Sequence, residues 1–160
     1  MDQVRIFALG GLDENGKNMY VVEVNEAIFI IEAGLKYPES DQLGVEFIIP
    51  DFSYLIQNKD RVKGIFITHA HDDVVAALPY LLKQINVPVY TGNLTANIIH
   101  DMLKKEGIKN VKIHRMKRAS KQTIGGVKVR TFPMTHAFPD NFGLAITTDQ
   151  GYIVYTGEFI

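Results

Sequence analysis

Short runs of β-branched and aromatic residues, cut by glycine and asparagine turn signals, open the chain at Val4 to Leu9, Tyr20 to Val24 and Ala27 to Ile31. Their length and punctuation predict a meander of strands. Pro50 to Gln57 reads as a short helix, and Gly64 to Thr68 as an apolar buried strand that opens into a loop. Val75 to Ile85 and Leu94 to Glu106 carry apolar residues at helical spacing, with a short strand between them at Val87 to Tyr90. Strand character returns at Lys112 to His114, Val127 to Pro133, Phe142 to Thr147 and Tyr152 to Thr156. With no repeat, low-complexity stretch or linker, the pattern describes one layered α/β unit with its strands grouped at both ends.

Composition agrees with a folded domain: 160 residues, 46% apolar and 22% charged, suffice for one core. The absence of cysteine excludes disulfides and thiolate ligands, so any metal must be held by His, Asp or Glu. No apolar run is long enough to cross a bilayer, and Arg5 to Leu9 is too short for a signal peptide, so the expectation is a cytoplasmic protein with no membrane partner. The net charge of −1 hides an asymmetry, because residues 1 to 100 carry 7 basic and 13 acidic side chains and residues 101 to 160 carry 10 and 5. The excess between Lys104 and Arg130 has the density to contact a polyanion, although no aromatic residues are interleaved to stack bases. A solvated helix and loop surface explains the same charges.

The chemistry concentrates in Thr68-His69-Ala70-His71-Asp72-Asp73-Val74. Two histidines two apart and a carboxylate four on, leaving a buried strand for a loop, are free of strand alternation and can converge on one ion. His136 is the natural third imidazole, since Met134 to Asp140 also leaves a strand for a proline-containing loop. Zinc or manganese would accept such a set at about 2.0 to 2.2 Å. Read without a metal, Asp72 and Asp73 serve as caps on the first free amides of the following helix.

These residues sit among further landmarks: Ala8 to Gly11, Glu14 to Met19, Glu32 to Leu35, Ile48 to Asp51, Ala77 to Tyr80 and Thr156 to Phe159. With them the chain resembles the metallo-β-lactamase superfamily, and within it the β-CASP ribonucleases of the ribonuclease J family, most like the weakly active member of a paralogous pair. The resemblance implies an αββα metallo-β-lactamase fold, of which residues 1–160 would be the N-terminal part, with the β-CASP and C-terminal domains outside this chain. It implies a metal-dependent hydrolase of RNA phosphodiesters, working as a 5′ to 3′ exonuclease and an endonuclease in RNA maturation and mRNA decay. RNA is the implied partner, together with a paralogue or a second copy of the protein.

Carried over residue by residue, the resemblance makes His69, His71 and His136 ligands of a first zinc or manganese ion. Asp73 becomes a catalytic ligand of a second, and Glu158 stands where the family has a bridging aspartate. Glu32 occupies the place of an aspartate that orients a ligand histidine from behind, while Lys17 and Asn18 lie where substrate phosphate could be steered. Val74 replaces a histidine ligand and offers no lone pair. The expectation is therefore one bound ion or none, weak activity or none, or a noncatalytic subunit that supports an active paralogue on RNA. Two other readings stay open: a carboxylate-rich second site built from Asp72 or Asp73 with Glu158 for manganese or magnesium, and a hydrolase of a thioester or lactam on the same fold.

Overall fold

The computed structural model describes residues 1–160. Strands β1 (Val4–Gly10), β2 (Met19–Val24) and β3 (Ala27–Ile31) form the expected antiparallel meander. Strands β4 (Val62–Ile67), β5 (Val89–Thr91) and β6 (Ile113–Arg115) then add in parallel, giving a six-stranded sheet in sequence order. Helices α1 (Ser53–Gln57), α2 (Asp72–Val75), α3 (Leu78–Gln84) and α4 (Asn93–Lys105) lie in the connections of this sheet. Strands β7 (Ser120–Ile124), β8 (Val127–Pro133), β9 (Phe142–Thr148) and β10 (Gly151–Tyr155) make a second, antiparallel sheet in the order β10-β9-β8-β7.

Strand alternation sorts the apolar side chains into two cores. Val21, Ile28, Ile30, Ile65 and Ile67 face the helices and pack with Leu55, Leu78, Leu81, Ile99 and Leu103. Val22, Val24, Phe29, Ile31 and Phe66 point the other way, against Val129, Phe142, Leu144 and Ile146 of the second sheet. Helices, sheet and sheet therefore stack as three layers. β3 and β4 are covered on both faces, which is why they read as unbroken apolar runs.

Two local departures from the sequence pattern have clear causes. The single helix read over Val75 to Ile85 is broken at Ala76 and Ala77, where the Ala77 amide donates to Ala33 O instead of continuing the helix, and Pro79 at the start of α3 has no amide to give. β7 escaped the periodicity because Ser-Lys-Gln-Thr-Ile buries only Ile124, and it is specified by pairing with β8 rather than by its own composition. No helix is long and apolar enough to cross a membrane.

Parallel pairing places the C-terminal ends of β3, β4 and β5 on one edge of the first sheet. The loops after β8 and β10 reach that edge from the second sheet, so five separate strand ends meet there. A backbone seam fixes the nearest loops to each other: Asn18 N donates to Asp73 O at 3.0 Å, Ala33 N to Val74 O at 2.7 Å, Gly34 N to Asn18 O at 2.9 Å and Leu35 N to Asp72 O at 3.1 Å. Gly34 is required in this seam, since a Cβ there would lie 1.6 Å from Asp73 O.

Candidate metal centre

His69 and His71 follow β4, His136 follows β8 and Glu158 follows β10, and one ligand atom from each lies within 4.8 Å of all the others. His69 Nε2 is 3.1 Å from His71 Nδ1 and 3.7 Å from Glu158 Oε2, and His136 Nε2 is 3.8 Å from the same oxygen. Donors placed tetrahedrally at about 2.1 Å from one ion stand roughly 3.4 Å apart, so these separations suit a three-nitrogen, one-oxygen set. The chemistry of that set, imidazole and carboxylate without thiolate, suits zinc or manganese. Phe138 closes one side, with its ring centroid 5.8 Å from that of His69 and 5.2 Å from that of His71.

The charge states favour ligation. Burial and the neighbouring imidazoles push His69 down to about 4, and burial followed by His71 lowers His136, so both rings are neutral at physiological pH. Burial, followed by a hydrogen bond with Asp73, pushes Glu158 up to about 7. Asp73 thus bears on the centre through Glu158. Asn18 supports it from outside, Nδ2 donating to Asp73 Oδ2 at 3.4 Å while Asn18 Oδ1 accepts the Tyr20 hydroxyl at 3.1 Å. Lys17 turns instead to Glu14, 3.3 Å away, and Glu14 also accepts the Gly11 amide, so this carboxylate satisfies its own loop.

Glu32 acts through Thr68. Thr68 Oγ1 donates to Glu32 Oε2 at 3.0 Å and lies 2.9 Å from His69 Nδ1, while Thr68 N donates to Glu32 Oε1 at 2.8 Å. The Thr68 hydroxyl thus links the buried carboxyl to His69 Nδ1 and holds the ring with Nε2 turned toward the cluster. Glu32 is fully buried and held in the left-handed region at φ 69°, and burial pushes its carboxyl up to about 8.

The sign of that shift gives a measurable outcome. A carboxyl raised in the folded state stabilises the fold fully below its unfolded value near 4.5, and the contribution is lost as pH rises through about 8. Glu32→Gln mimics the protonated form, so thermal stability should become flatter between pH 5 and 9 and exceed that of the wild type at pH 9. A mutant melting curve that keeps the wild-type pH slope would refute the assignment.

Asp72 and Asp73 do not cap α2 with their side chains, contrary to the cap reading. His71 occupies the cap position without a side-chain bond, and Asp72 Oδ2 instead accepts the Tyr37 hydroxyl at 2.6 Å. Val74 is buried, 1% exposed, on the helix turn that follows the histidines. Sequence reasoning missed Thr68, Phe138, Asp140 and Asn141, the last donating from Nδ2 to Glu158 O at 3.0 Å, because their placement is tertiary and their residue types are not marked by a local pattern. The basic run divides: most of its lysines are exposed, whereas Arg115 binds Asn93 and Asn97 on α4, and Arg118 donates to Met134 O at 2.9 Å and Asn141 O at 3.3 Å.

Two sheets with helices outside one of them, and a histidine and carboxylate cluster at the strand ends where the sheets meet, define a metallo-β-lactamase fold. The chain belongs to the β-lactamase superfamily domain family, whose sequence profile matches residues 45–159. It is 44% identical over 157 residues to ribonuclease J 2 of Staphylococcus saprophyticus, a match that covers 98% of this chain and 28% of that protein. A protein of unknown function from Enterococcus faecalis shares the fold with a TM-score of 0.75 at 17% identity, over 99% of this chain and 44% of the other. A metallo-β-lactamase fold protein of Bacillus subtilis does so at 0.66 and 14% identity, over 95% and 61% of the two chains.

Proposed function

We propose that His69, His71, His136 and Glu158 hold a single zinc or manganese ion, and that the chain is the N-terminal part of a ribonuclease J-type RNA phosphodiester hydrolase with impaired activity. The observation that carries this reading is the convergence of the four ligand atoms from three strand ends within 4.8 Å. The similarity to ribonuclease J 2 supports RNA as the substrate, 5′ to 3′ exonucleolytic and endonucleolytic cleavage as the activity, and a cytoplasmic setting. On this reading the β-CASP and C-terminal domains follow in the longer protein, which works with a paralogue or a second copy of itself.

An ion held in this set supplies Lewis-acid charge at the scissile phosphate. The residues of the chain do the rest. Neutral His69 and His136 present nitrogen lone pairs, Phe138 excludes water from one side, and Asp73, beside Glu158, is placed to take a proton from an attacking water. Lys17 and Asn18 remain candidates for the phosphate side, with Lys17 freed from Glu14 when a phosphate competes for it. The weak point is Val74, a buried side chain with no donor where the resemblance calls for a second-site histidine. The same observation favours a second reading, a noncatalytic subunit that stabilises an active paralogue on RNA.

Elemental analysis and isothermal titration separate the outcomes. One equivalent of zinc or manganese per chain, lost in His136→Ala, is the expected result, and an absence of binding would sink the metal reading. Two equivalents would mean that the second site works in spite of Val74. Because Glu158 titrates near 7, uptake should tighten as pH rises from 6 to 8 and weaken by about tenfold per unit below that window, as the proton competes for the carboxylate. Glu158→Gln should remove this dependence.

A further inference from the structure

We infer that Asp140 is the positioning residue that holds His136 in the centre, by acting as the N-terminal cap of a helix to which its own loop does not belong. The inference rests on the metal reading proposed above for its consequence, but not for its geometry. Helix α4 has 13 residues, and its cap position is Gly92, with no side chain to satisfy the first free amides. Asp140 supplies what is missing. Its Oδ2 accepts Leu94 N at 2.7 Å and Thr95 N at 3.1 Å, and its Oδ1 accepts the buried Thr95 hydroxyl at 3.3 Å. Gly92 makes the approach feasible, because a Cβ there would stand 2.4 Å from Asp140 Oδ2.

The loop needs such an anchor. Between Met134 and Asn141 the only internal backbone bond is Asn141 N to Phe138 O at 3.3 Å, and the Phe138 amide binds the ring of His136 itself, at Nδ1, 3.0 Å away. Arg118 ties the two ends of the loop, at Met134 O and Asn141 O, and Ile160 N donates to Thr135 O at 3.0 Å, but no backbone bond from outside the loop reaches residues 136 to 139, which leaves them free to tilt. Asp140, four residues after His136, fixes that tilt against β5 and α4. Thr91 at the end of β5 in turn bonds Ile67 O at 2.7 Å, two residues before His69. The carboxylate thus sets His136 relative to His69 through a short chain of rigid elements. Capping by a charged side chain with two amides and a hydroxyl is strong enough to hold a loop in one place.

The test follows the placement of His136 and the capture of cobalt(II) separately, in the full chain. His136 presents only 6% of its side-chain surface, so diethylpyrocarbonate should modify it slowly in the wild type. Asp140→Ala should raise the modification rate of His136, read by peptide mass mapping, by about 10-fold or more and weaken cobalt(II) binding by a similar factor. Asp140→Asn keeps one acceptor oxygen and should recover most of both, and Thr95→Val, which removes one of the three bonds, should give a small change in the same direction. These two milder variants decide the matter if Asp140→Ala does not fold. Leu103→Ala, a core change on the same helix, should lower stability without exposing His136, as a merely structural role for Asp140 would also have done. A His136 rate unchanged in Asp140→Ala, or in Thr95→Val where Asp140→Ala does not fold, overturns the inference. Failure of the wild type to take up cobalt(II) would instead overturn the metal reading, and the His136 rate would still decide the placement.

Discussion

Gly34→Ala should cost the fold on the order of 3 kcal/mol or more and lower its melting temperature by roughly 6 to 12 °C. A methyl group at this position would meet Asp73 O at 1.6 Å and Asp73 C at 2.2 Å, and neither is the end of a side chain that could swing away. Relief requires that the 72–74 turn retreat from the 33–35 turn. The retreat would break Ala33 N to Val74 O, Leu35 N to Asp72 O and the Asn18 bridge between them. Those bonds also hold His71 and Asp73 in place, so weaker metal uptake should accompany the loss of stability. Gly44→Ala is the fitting control, because Gly44 has φ 81° but nothing within 4 Å of the added carbon, and its cost should stay near 1 kcal/mol. Equal melting temperatures for the two variants would show that the seam yields easily and that Gly34 is not required by contact.

On the ribonuclease J-type reading proposed above, Val74→His combined with Glu158→Asp should raise cleavage of a 5′-monophosphorylated RNA by the longer protein by about two orders of magnitude. That is the effect expected when a second cation adds several kcal/mol of charge stabilisation. Val74 lies one residue after Asp73 on the same helix turn, so a histidine there adds a nitrogen beside an existing carboxylate. Glu158 presently extends to within 3.7 and 3.8 Å of two imidazoles. Shortening it by one methylene withdraws its oxygens by about 1.5 Å from those imidazoles. The metal content should rise from one to two equivalents alongside the activity. An increase in metal without activity would favour the noncatalytic subunit, and no increase in either would locate the defect away from Val74.

Much of this architecture was readable from residue order. β3, β4 and β8 showed themselves through runs of Ile, Phe and Val, and His69, His71 and His136 through their position after strands that could only end in loops. Glu158 and Glu32 were reached through resemblance, since neither has a local pattern that marks it. What the sequence concealed is relational. Thr68 looks like the last residue of a strand until its hydroxyl is seen between a buried carboxylate and an imidazole. Asp140 looks like a turn residue until the amides that it binds are found on α4, more than forty positions earlier. Asp72 misled because its partner, the Tyr37 hydroxyl, outweighed the local helix end that its position suggested. Side-chain bonds across long sequence separation leave no periodicity behind, and only the folded arrangement reveals them.

The centre draws His69 and His71 from one sheet and His136 and Glu158 from the other, and the chain passes between the two sheets only once, from the end of β6 to the start of β7. An ion in that place would act as a rivet between them. An empty centre would leave the two sheets freer to breathe against each other at that edge. Each ion bound would suppress that breathing in turn, adding about 2.7 kcal/mol at a free concentration one hundred times its dissociation constant.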